Sequence, residues 1–245
     1  VIGIFIIGAA GQVYVQSKSS FNARAAVSAV SENGRFAIQD LRRSLAMAGM
    51  NITASEGFVT SKRAIPSLNL VNGTYEGDVD DTDPNLRSDI VAVRYRRGPT
   101  CDGYAGDTPE GLPLSSVPAT VRFSVVNDEL RCQVTGKTAK ALVSGVKLMK
   151  ALYGIDDTAN GYANRYLTAS QVNTLDKWRN IVSIRVGLVV NSAEQSQPLS
   201  MRSGTAQTLS LLGMDYEVPA NDEKLYKVFS ATVQLRNLNP IMQKQ

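Results

Sequence analysis

The sequence holds few of the residue types that carry out chemistry in enzymes. Its 245 residues include no histidine, the commonest general base and a frequent metal ligand. Ser-His-Asp and Cys-His arrangements therefore cannot form, and no glycine-rich phosphate loop is present. The neighbouring carboxylates of Asp80 and Asp81 resemble a glycosidase pair, but they lie among residues typical of a solvated loop. The sequence predicts a protein that is not an enzyme and has no cofactor.

Two acidic stretches offer the oxygen ligands that calcium prefers. The first contains Asp78, Asp80, Asp81 and Asp83, with no glycine among them to fix a turn. The second, Asp156–Gly161, places oxygens at positions 1, 3 and 5 and glycine at position 6, as in part of an EF-hand loop. Its twelfth position is Leu167, where an EF-hand has a bidentate glutamate. This favours a turn rich in Asp and Asn over a metal site, with calcium as the alternative.

The chain has two cysteines, Cys101 and Cys132, which are 31 positions apart (132 − 101). Cys101 lies in a stretch rich in glycine and proline, and Cys132 lies in the strand-like segment ELRCQV. In an oxidising compartment, a bond between them would close a long loop and stabilise the fold by ~3–4 kcal/mol. In the cytosol they would be unrelated buried thiols. The apolar N-terminal segment described below favours the disulfide.

Basic residues give no strong sign of a nucleic-acid partner. The formal net charge is +4, and short basic clusters occur at Lys62, Arg63 and at Arg94, Arg96 and Arg97. Nucleic-acid-binding proteins usually show a denser basic stripe with interleaved aromatic residues. We therefore expect solvated strand faces and no nucleic-acid partner.

A proline-free N-terminal stretch, Val1–Gly49, is the element around which the rest is organised. Its second half has a stripe of apolar or small residues with the 3.5–3.6 period of a helix that buries one face. The stripe consists of Val27, Val30, Gly34, Ile38, Leu41, Leu45 and Ala48. Gly49 is a suitable stop in the left-handed conformation. The sequence predicts a long helix whose two halves require different surroundings.

The first half reads VIGIFIIGAAGQVYV, a run of about 15 apolar residues where a bilayer span takes about 20. We expect that the sequence begins inside a hydrophobic segment. A buried core helix is the alternative, but Lys18, Arg24 and the change to a one-sided pattern favour an anchor. Small residues allow apolar helices to approach closely in lipid. The predicted packing residues of this half are Gly3, Phe5, Gly8 and Gly11.

Alternating apolar and polar residues after the helix predict antiparallel strands. These strands cover residues 91–95, 121–125, 130–134, 182–190 and 229–235, and Asn127–Asp128 reads as a tight hairpin turn. A further strand is predicted over residues 143–153. On the strand over residues 182–190, Ser183, Arg185 and Gly187 are predicted to form the outer face. The single tryptophan, Trp178, is predicted to anchor the core. We expect an α+β fold with one sheet wrapped on the helix stripe, an anchor over residues 1–20 and one globular domain over residues 21–245.

Five stretches of the chain are informative when they are taken together. They are SENGRFAIQDLRRSLAMAGM at 31–50, LRCQV at 130–134, ALYGIDD at 151–157, KWRNIVSIRVGLVV at 177–190 and VQLRNLNP at 233–240. In sequence and in order they resemble the PilW family of minor pilins, within the type IV pilin-like proteins. The resemblance covers nearly the whole chain. One departure is the absence of the prepilin-peptidase site and of the apolar segment with a glutamate that follows it. About ten mature residues are therefore expected to precede residue 1.

The resemblance implies a type IV pilin-like fold and a structural role in a type IV pilus. It implies a minor pilin that primes pilus assembly at the filament tip, with other minor pilins, the major pilin and a tip adhesin as partners. It also implies an inner-membrane anchor with a periplasmic domain, and an extracellular pilus after assembly. One alternative is a minor pseudopilin of a type II secretion system, which neighbouring genes would distinguish. Another is a surface adhesin or DNA-capturing pilus subunit, which a basic patch on one face would support.

Overall fold

The computed structural model describes residues 2–50, 70–71, 74–75, 88–95, 98–101, 103–104, 119–134, 136–192, 207–218, 220, 222 and 224–238. Helix α1 spans Ile2–Ala46 and helix α2 spans Ala169–Thr174. The first strands are β1 (Leu70–Val71), β2 (Thr74–Tyr75), β3 (Val91–Tyr95), β4 (Pro99–Thr100) and β5 (Gly103–Tyr104). They are followed by β6 (Ala119–Val126), β7 (Glu129–Val134), β8 (Lys140–Ser144), β9 (Val146–Ile155) and β10 (Arg165–Leu167). The last are β11 (Ile181–Asn191), β12 (Gln207–Leu211), β13 (Met214–Val218) and β14 (Tyr226–Gln234), and short 3-10 helices cover Trp178–Asn180 and Arg236–Leu238.

Two four-stranded antiparallel sheets form the body of the domain. The first has the order β10-β9-β11-β14, and the second has the order β3-β6-β7-β8. Helix α1 packs mainly on β14 and β11, with further contacts to β8. The expected α+β class is confirmed, but the expectation of one sheet was wrong. The described strands also form the hairpins β1-β2, β4-β5 and β12-β13.

The second half of α1 buries one face, as its period predicts. Buried residues follow one another at three- or four-residue intervals, which places them on one side of the helix. They are Val30, Gly34, Ala37, Leu41, Leu45 and Ala48, with Ile38 partly buried beside them. Gly49 has φ +80°, so the predicted left-handed stop is confirmed, and its N–H donates to the Arg94 carbonyl at 2.8 Å. Val27 is 45% exposed, so its inclusion in the buried face was wrong; burial begins one turn later, at Val30.

The predicted hairpin at Asn127–Asp128 is confirmed. Both residues have positive φ, 54° and 59°, the conformation required by the two-residue turn that matches strand twist. The turn aligns Val126 with Glu129 and sets the register of β6 and β7.

The segment predicted as one strand over residues 143–153 is two strands in different sheets. The chain leaves β8 and enters β9 at Gly145, whose φ is +79°. A β-carbon at Gly145 would lie 2.6 Å from the Asn191 carbonyl oxygen, so glycine is required there for both conformation and space. Val143 and Val146 are three positions apart, so the apolar alternation shifts by one residue at Gly145, and this shift was the available signal of the break.

Strand β11 is covered on both faces, so the predicted outer face was wrong at two of its three positions. Ser183 and Gly187 are buried, and Arg185 is partly buried. At Gly187 the covering group is Leu211 of the β12-β13 hairpin. Leu148, Val189, Leu211, Val218 and Tyr226 form a second small core there. A strand with two covered faces is apolar along most of its length, as β11 is.

Trp178 lies in the main core, as predicted. It is buried, and its ring meets Tyr153 edge to face with 5.5 Å between ring centroids. Its indole Nε1–H donates to Asn173 Oδ1 at 3.3 Å, which satisfies the polar edge of the ring.

Candidate assembly surface on the long helix

The first half of α1 exposes large apolar side chains. Val13, Tyr14, Val15 and Phe21 are 66%, 68%, 64% and 72% exposed. Large exposed apolar surfaces are unusual on monomeric soluble proteins and mark sites of contact with other proteins or with lipid. This half of the helix therefore has a surface available for another molecule.

The small residues predicted to allow close helix packing lie on this same half. No heavy atom lies within 4 Å of the position that a β-carbon would take at Gly3 or Gly11. The side chains of Phe5 and Gly8 lie outside the described residues. Gly3 and Gly11 thus leave the backbone accessible to a neighbouring helix, which is the condition for close packing.

Gly34, on the second half, has a different role. A β-carbon built at Gly34 would overlap the Phe229 ring of β14, so glycine allows the ring to lie directly against the helix backbone. Ala37 is fully buried one turn further along. Ala37 was not predicted to belong to the stripe, although its three-residue spacing from Gly34 was the available signal. Gly34 belongs to the internal joint between helix and sheet, not to the free surface.

Side-chain hydrogen bonds secure both ends of this joint. Near its start, Asn33 Nδ2 donates to the Ser144 carbonyl at 3.3 Å, and Lys227 Nζ donates to Ser31 Oγ at 3.2 Å. At the helix C-terminus, Asn237 Nδ2 donates to the Ala46 and Ala48 carbonyls at 3.1 and 3.3 Å. The last carbonyls of a helix lack partners within the helix, so Asn237 satisfies groups that would otherwise rely on water. These contacts fix the orientation of α1 relative to the sheets.

The predicted disulfide is confirmed. Cys101 and Cys132 are bonded, with 6.2 Å between their Cα atoms. Cys132 is buried in β7 opposite Phe123 of β6, and Cys101 directly follows β4. The bond therefore fastens the segment after β3 to the centre of the second sheet.

The loop considered for calcium is built around the Asp156 carboxylate. This carboxylate accepts hydrogen bonds from the backbone N–H groups of Thr158 and Gly161 at 3.0 and 2.6 Å, and from the Thr158 hydroxyl at 3.2 Å. Burial acts to raise the pKa of Asp156, but these hydrogen bonds and one from the Asn160 backbone outweigh it and hold the pKa below its usual value. Asp156 therefore organises the turn through the chain's own donors.

The second carboxylate of this loop is also engaged. Asp157 forms ion pairs with Arg165 at 2.9 Å and Lys177 at 3.5 Å. Across the part of the chain that the structure describes, no group of three or more His, Cys, Asp or Glu side chains is placed to hold a metal ion. The arrangement is that of a turn closed by Asp side chains. The acidic stretch at residues 78–83 lies outside the described residues.

Of the basic residues considered for DNA, only Arg94 is described. Its Nε donates to Thr120 Oγ1 at 3.2 Å across the β3-β6 pair, and burial lowers the pKa of its guanidinium. Lys62, Arg63, Arg96 and Arg97 lie outside the described residues. The predicted solvated strand face remains a prediction for those four.

Lys150 and Asp89 form a buried ion pair that was not predicted from the sequence. Lys150 Nζ lies 2.9 Å from Asp89 Oδ1, and both side chains are almost fully buried. Asp89 Oδ2 also accepts the Ala151 N–H at 2.8 Å, and the Asp89 N–H donates to the Met149 carbonyl at 2.8 Å. The signal was a lysine inside the apolar run of β9. The pair fastens the segment before β3, in the second sheet, to β9 of the first sheet.

Neither described helix combines the length and the sustained apolar character needed to cross a lipid bilayer. The anchor over residues 1–20 thus stays a prediction.

Comparison with known proteins identifies one family. Residues 119–237 match the model of the family described as Type IV Pilus-assembly protein W, PilW. Among solved structures, the chain is similar to a type IV-like pilin from Thermus thermophilus, with 13% identity and a TM-score of 0.48 over 85% of this chain and 97% of that chain. No curated protein matches the sequence.

Proposed function

We propose that the protein is a minor pilin that helps to initiate pilus assembly, because residues 119–237 match the model of the PilW family of type IV pilus-assembly proteins. In this role it is a structural subunit. Its contribution to the filament is the packing of its long helix against the helices of other subunits.

The exposed first half of α1 is the observation that supports this role. Its apolar side chains have no partner among the described residues of the domain, and Gly3 and Gly11 leave room for a second helix. Burying a side chain the size of Val or Phe stabilises an assembly by about 1.5–3 kcal/mol. Several such side chains on one helix give a strong tendency to associate with other apolar helices or with lipid.

The proposed location follows from the same helix and from the disulfide. Before assembly, residues 1–20 hold the protein in the bacterial inner membrane, and the domain lies in the periplasm, where disulfides persist. After assembly, the helix lies in the filament core and the domain is extracellular. The proposed partners are other minor pilins and the major pilin through their helices, with a tip adhesin beyond them.

Photocrosslinking from the helix in bacterial membranes tests this proposal. A thiol-reactive photocrosslinker is attached to the variants Gln12→Cys and Ser17→Cys, and crosslinked products are identified by mass spectrometry. Ser210→Cys, at an exposed position of β12, is the matched control on the domain. We expect several different small pilin-like proteins, at low copy, from the two helix positions and not from the control.

Other outcomes would change the assignment. A long ladder of this chain alone would make it a major filament subunit. Capture of secretion-system subunits would make it a pseudopilin. Purification as a monomer without helix contacts would contradict an assembly role.

A further inference from the structure

An open groove of about 590 Å³ lies between the C-terminal turns of α1 and the end of β14. Its lining includes Arg42 and Arg43 from the helix, Thr232, Val233 and Gln234 from the strand, and Arg236 from the short 3-10 helix that follows. The groove lies at the opposite end of α1 from the assembly surface described above. It is therefore a separate feature of the molecule.

One wall of the groove is the edge of a sheet. Strand β14 pairs with β11 along its whole length, and among the described residues no strand pairs with its other side. Neighbouring side chains of a strand point to opposite faces, and accordingly Val233 is buried while Thr232 and Gln234 are exposed. Because three consecutive residues of β14 line the groove, the groove runs beside the main chain of this strand. An edge strand presents backbone N–H and C=O groups with which a further strand can pair.

The other walls carry positive charge. Arg42, Arg43 and Arg236 are exposed, and among the described residues none of them forms an ion pair with a carboxylate within 4 Å. Asp40, half-buried on the same helix as Arg42 and Arg43, interacts electrostatically with Arg43. Three guanidinium groups against one carboxylate leave a net positive groove. Arginine binds carboxylates through paired N–H donors, so acidic side chains fit this surface.

We propose that this groove binds an extended acidic peptide segment of a partner protein, which adds to β14 as a further strand. The open strand edge selects a peptide, because a peptide backbone can continue the hydrogen-bond ladder whereas nucleic acid or lipid cannot. Acidic residues at every second position would face the arginines, since side chains alternate along a strand. If the protein is a pilin, the partner is another pilus subunit, but the recognition does not depend on that role.

A binding measurement on the full-length chain in detergent tests this proposal. The probe is a fluorescently labelled seven-residue peptide of alternating glutamate and valine with capped ends. Loss of charged hydrogen bonds predicts that the double variant Arg42→Gln/Arg236→Gln binds about tenfold more weakly than wild type or worse. The matched control is Arg24→Gln, which removes an exposed arginine from the same helix about four turns before the first residue that lines the groove, Gln39. Thermal unfolding of each variant verifies that it is folded.

Two further measurements separate the contribution of charge to binding from the contribution of strand pairing. The same peptide with N-methyl groups on alternate residues keeps its charges but loses N–H donors. We expect it to bind much more weakly than the parent peptide. Binding of the parent should also weaken between about 50 mM and about 300 mM salt, because the arginines are exposed to screening.

Three results would overturn the proposal. The first is equal affinity of the wild type and the double variant for the peptide. The second is equal affinity of the wild type for the N-methylated and the parent peptides. The third is displacement of the labelled peptide by duplex DNA or by anionic vesicles at a lower concentration than by unlabelled peptide. None of these results bears on the helix-mediated assembly role, which the membrane crosslinks test separately.

Discussion

The backbone of Gly34 lies directly against the ring of Phe229, with no space between them for a β-carbon. The two residues are 195 positions apart (229 − 34), and their contact joins α1 to β14. In an isolated helix, alanine is more stable than glycine by about 1 kcal/mol. The contact with Phe229 reverses that preference here.

Gly34→Ala is therefore expected to destabilise the domain. Displacing a packed ring costs about 1–3 kcal/mol, which exceeds the gain in helix propensity, so we expect a net loss of up to about 2 kcal/mol. Denaturant unfolding measures this change. Adding Phe229→Leu, which vacates ring space, should recover part of the loss. The control is Gly11→Ala, whose β-carbon meets only open space, and it should not destabilise the domain. If Gly34→Ala stabilised the domain instead, the Phe229 ring would have to move aside freely, which would contradict this account.

Lys150→Met is expected to destabilise the fold by about 3–5 kcal/mol, because it leaves the Asp89 carboxylate buried without its cation. The double variant Asp89→Asn/Lys150→Met should cost less than the sum of the two single changes, since it removes both charges. Denaturant unfolding of the four proteins gives the coupling energy. The control is Lys147→Met, which lies in the same strand as Lys150 and breaks an exposed ion pair with Asp128 of the β6-β7 turn. It should lower the free energy of unfolding by about 1 kcal/mol or less. Additive effects of the two buried changes would contradict this account.

Removal of the disulfide in Cys101→Ala/Cys132→Ala is expected to lower the free energy of unfolding by about 3–4 kcal/mol, the chain-entropy value for a loop of this length. Reduction of the wild-type protein should produce a similar loss, and the variant should not respond to reductant. Unfolding measured with and without reductant checks both. A reductant effect on the double variant would trace the loss to something other than this bond.

Asp156 is expected to make stability depend on pH. Because its pKa in the folded protein lies below the unfolded value of about 3.9, its contribution is present above that pH and is lost as the pH falls toward the folded pKa. The stability difference between wild type and Asp156→Asn should therefore shrink as the solution is acidified below about pH 4. Thr158→Val removes only one of the donors and should keep most of the dependence. A difference that stays constant across this range would show that Asp156 acts through shape alone.

Features governed by neighbouring residues could be predicted from the sequence. The helix stripe from Val30 onward, the stop at Gly49 and the turn at Asn127–Asp128 each depend on periods or backbone angles within a few residues. The disulfide was predictable because the chain contains only two cysteines. The family resemblance, confirmed over residues 119–237, came from short stretches in a fixed order.

Features that depend on which distant segments meet were not predictable. Period two cannot show which sheet a strand joins, so the placement of β8 and β9 in different sheets was not predictable, although the alternation shifts by one residue at Gly145. Nor can it show that the β12-β13 hairpin covers β11, which buries Gly187.

The amino-acid pattern alone predicts a long helix with one buried face before a set of antiparallel strands, and an apolar first half of that helix. Three features became visible only in the folded chain. Gly34 serves the internal joint whereas Gly3 and Gly11 stay accessible, Lys150 and Asp89 pair in the interior, and β14 leaves an edge beside three arginines. The two groups of features differ in the sequence separation of the residues that cause them. Backbone angles and helix periods are set by neighbours along the chain, whereas burial and pairing are set by residues brought together from far apart.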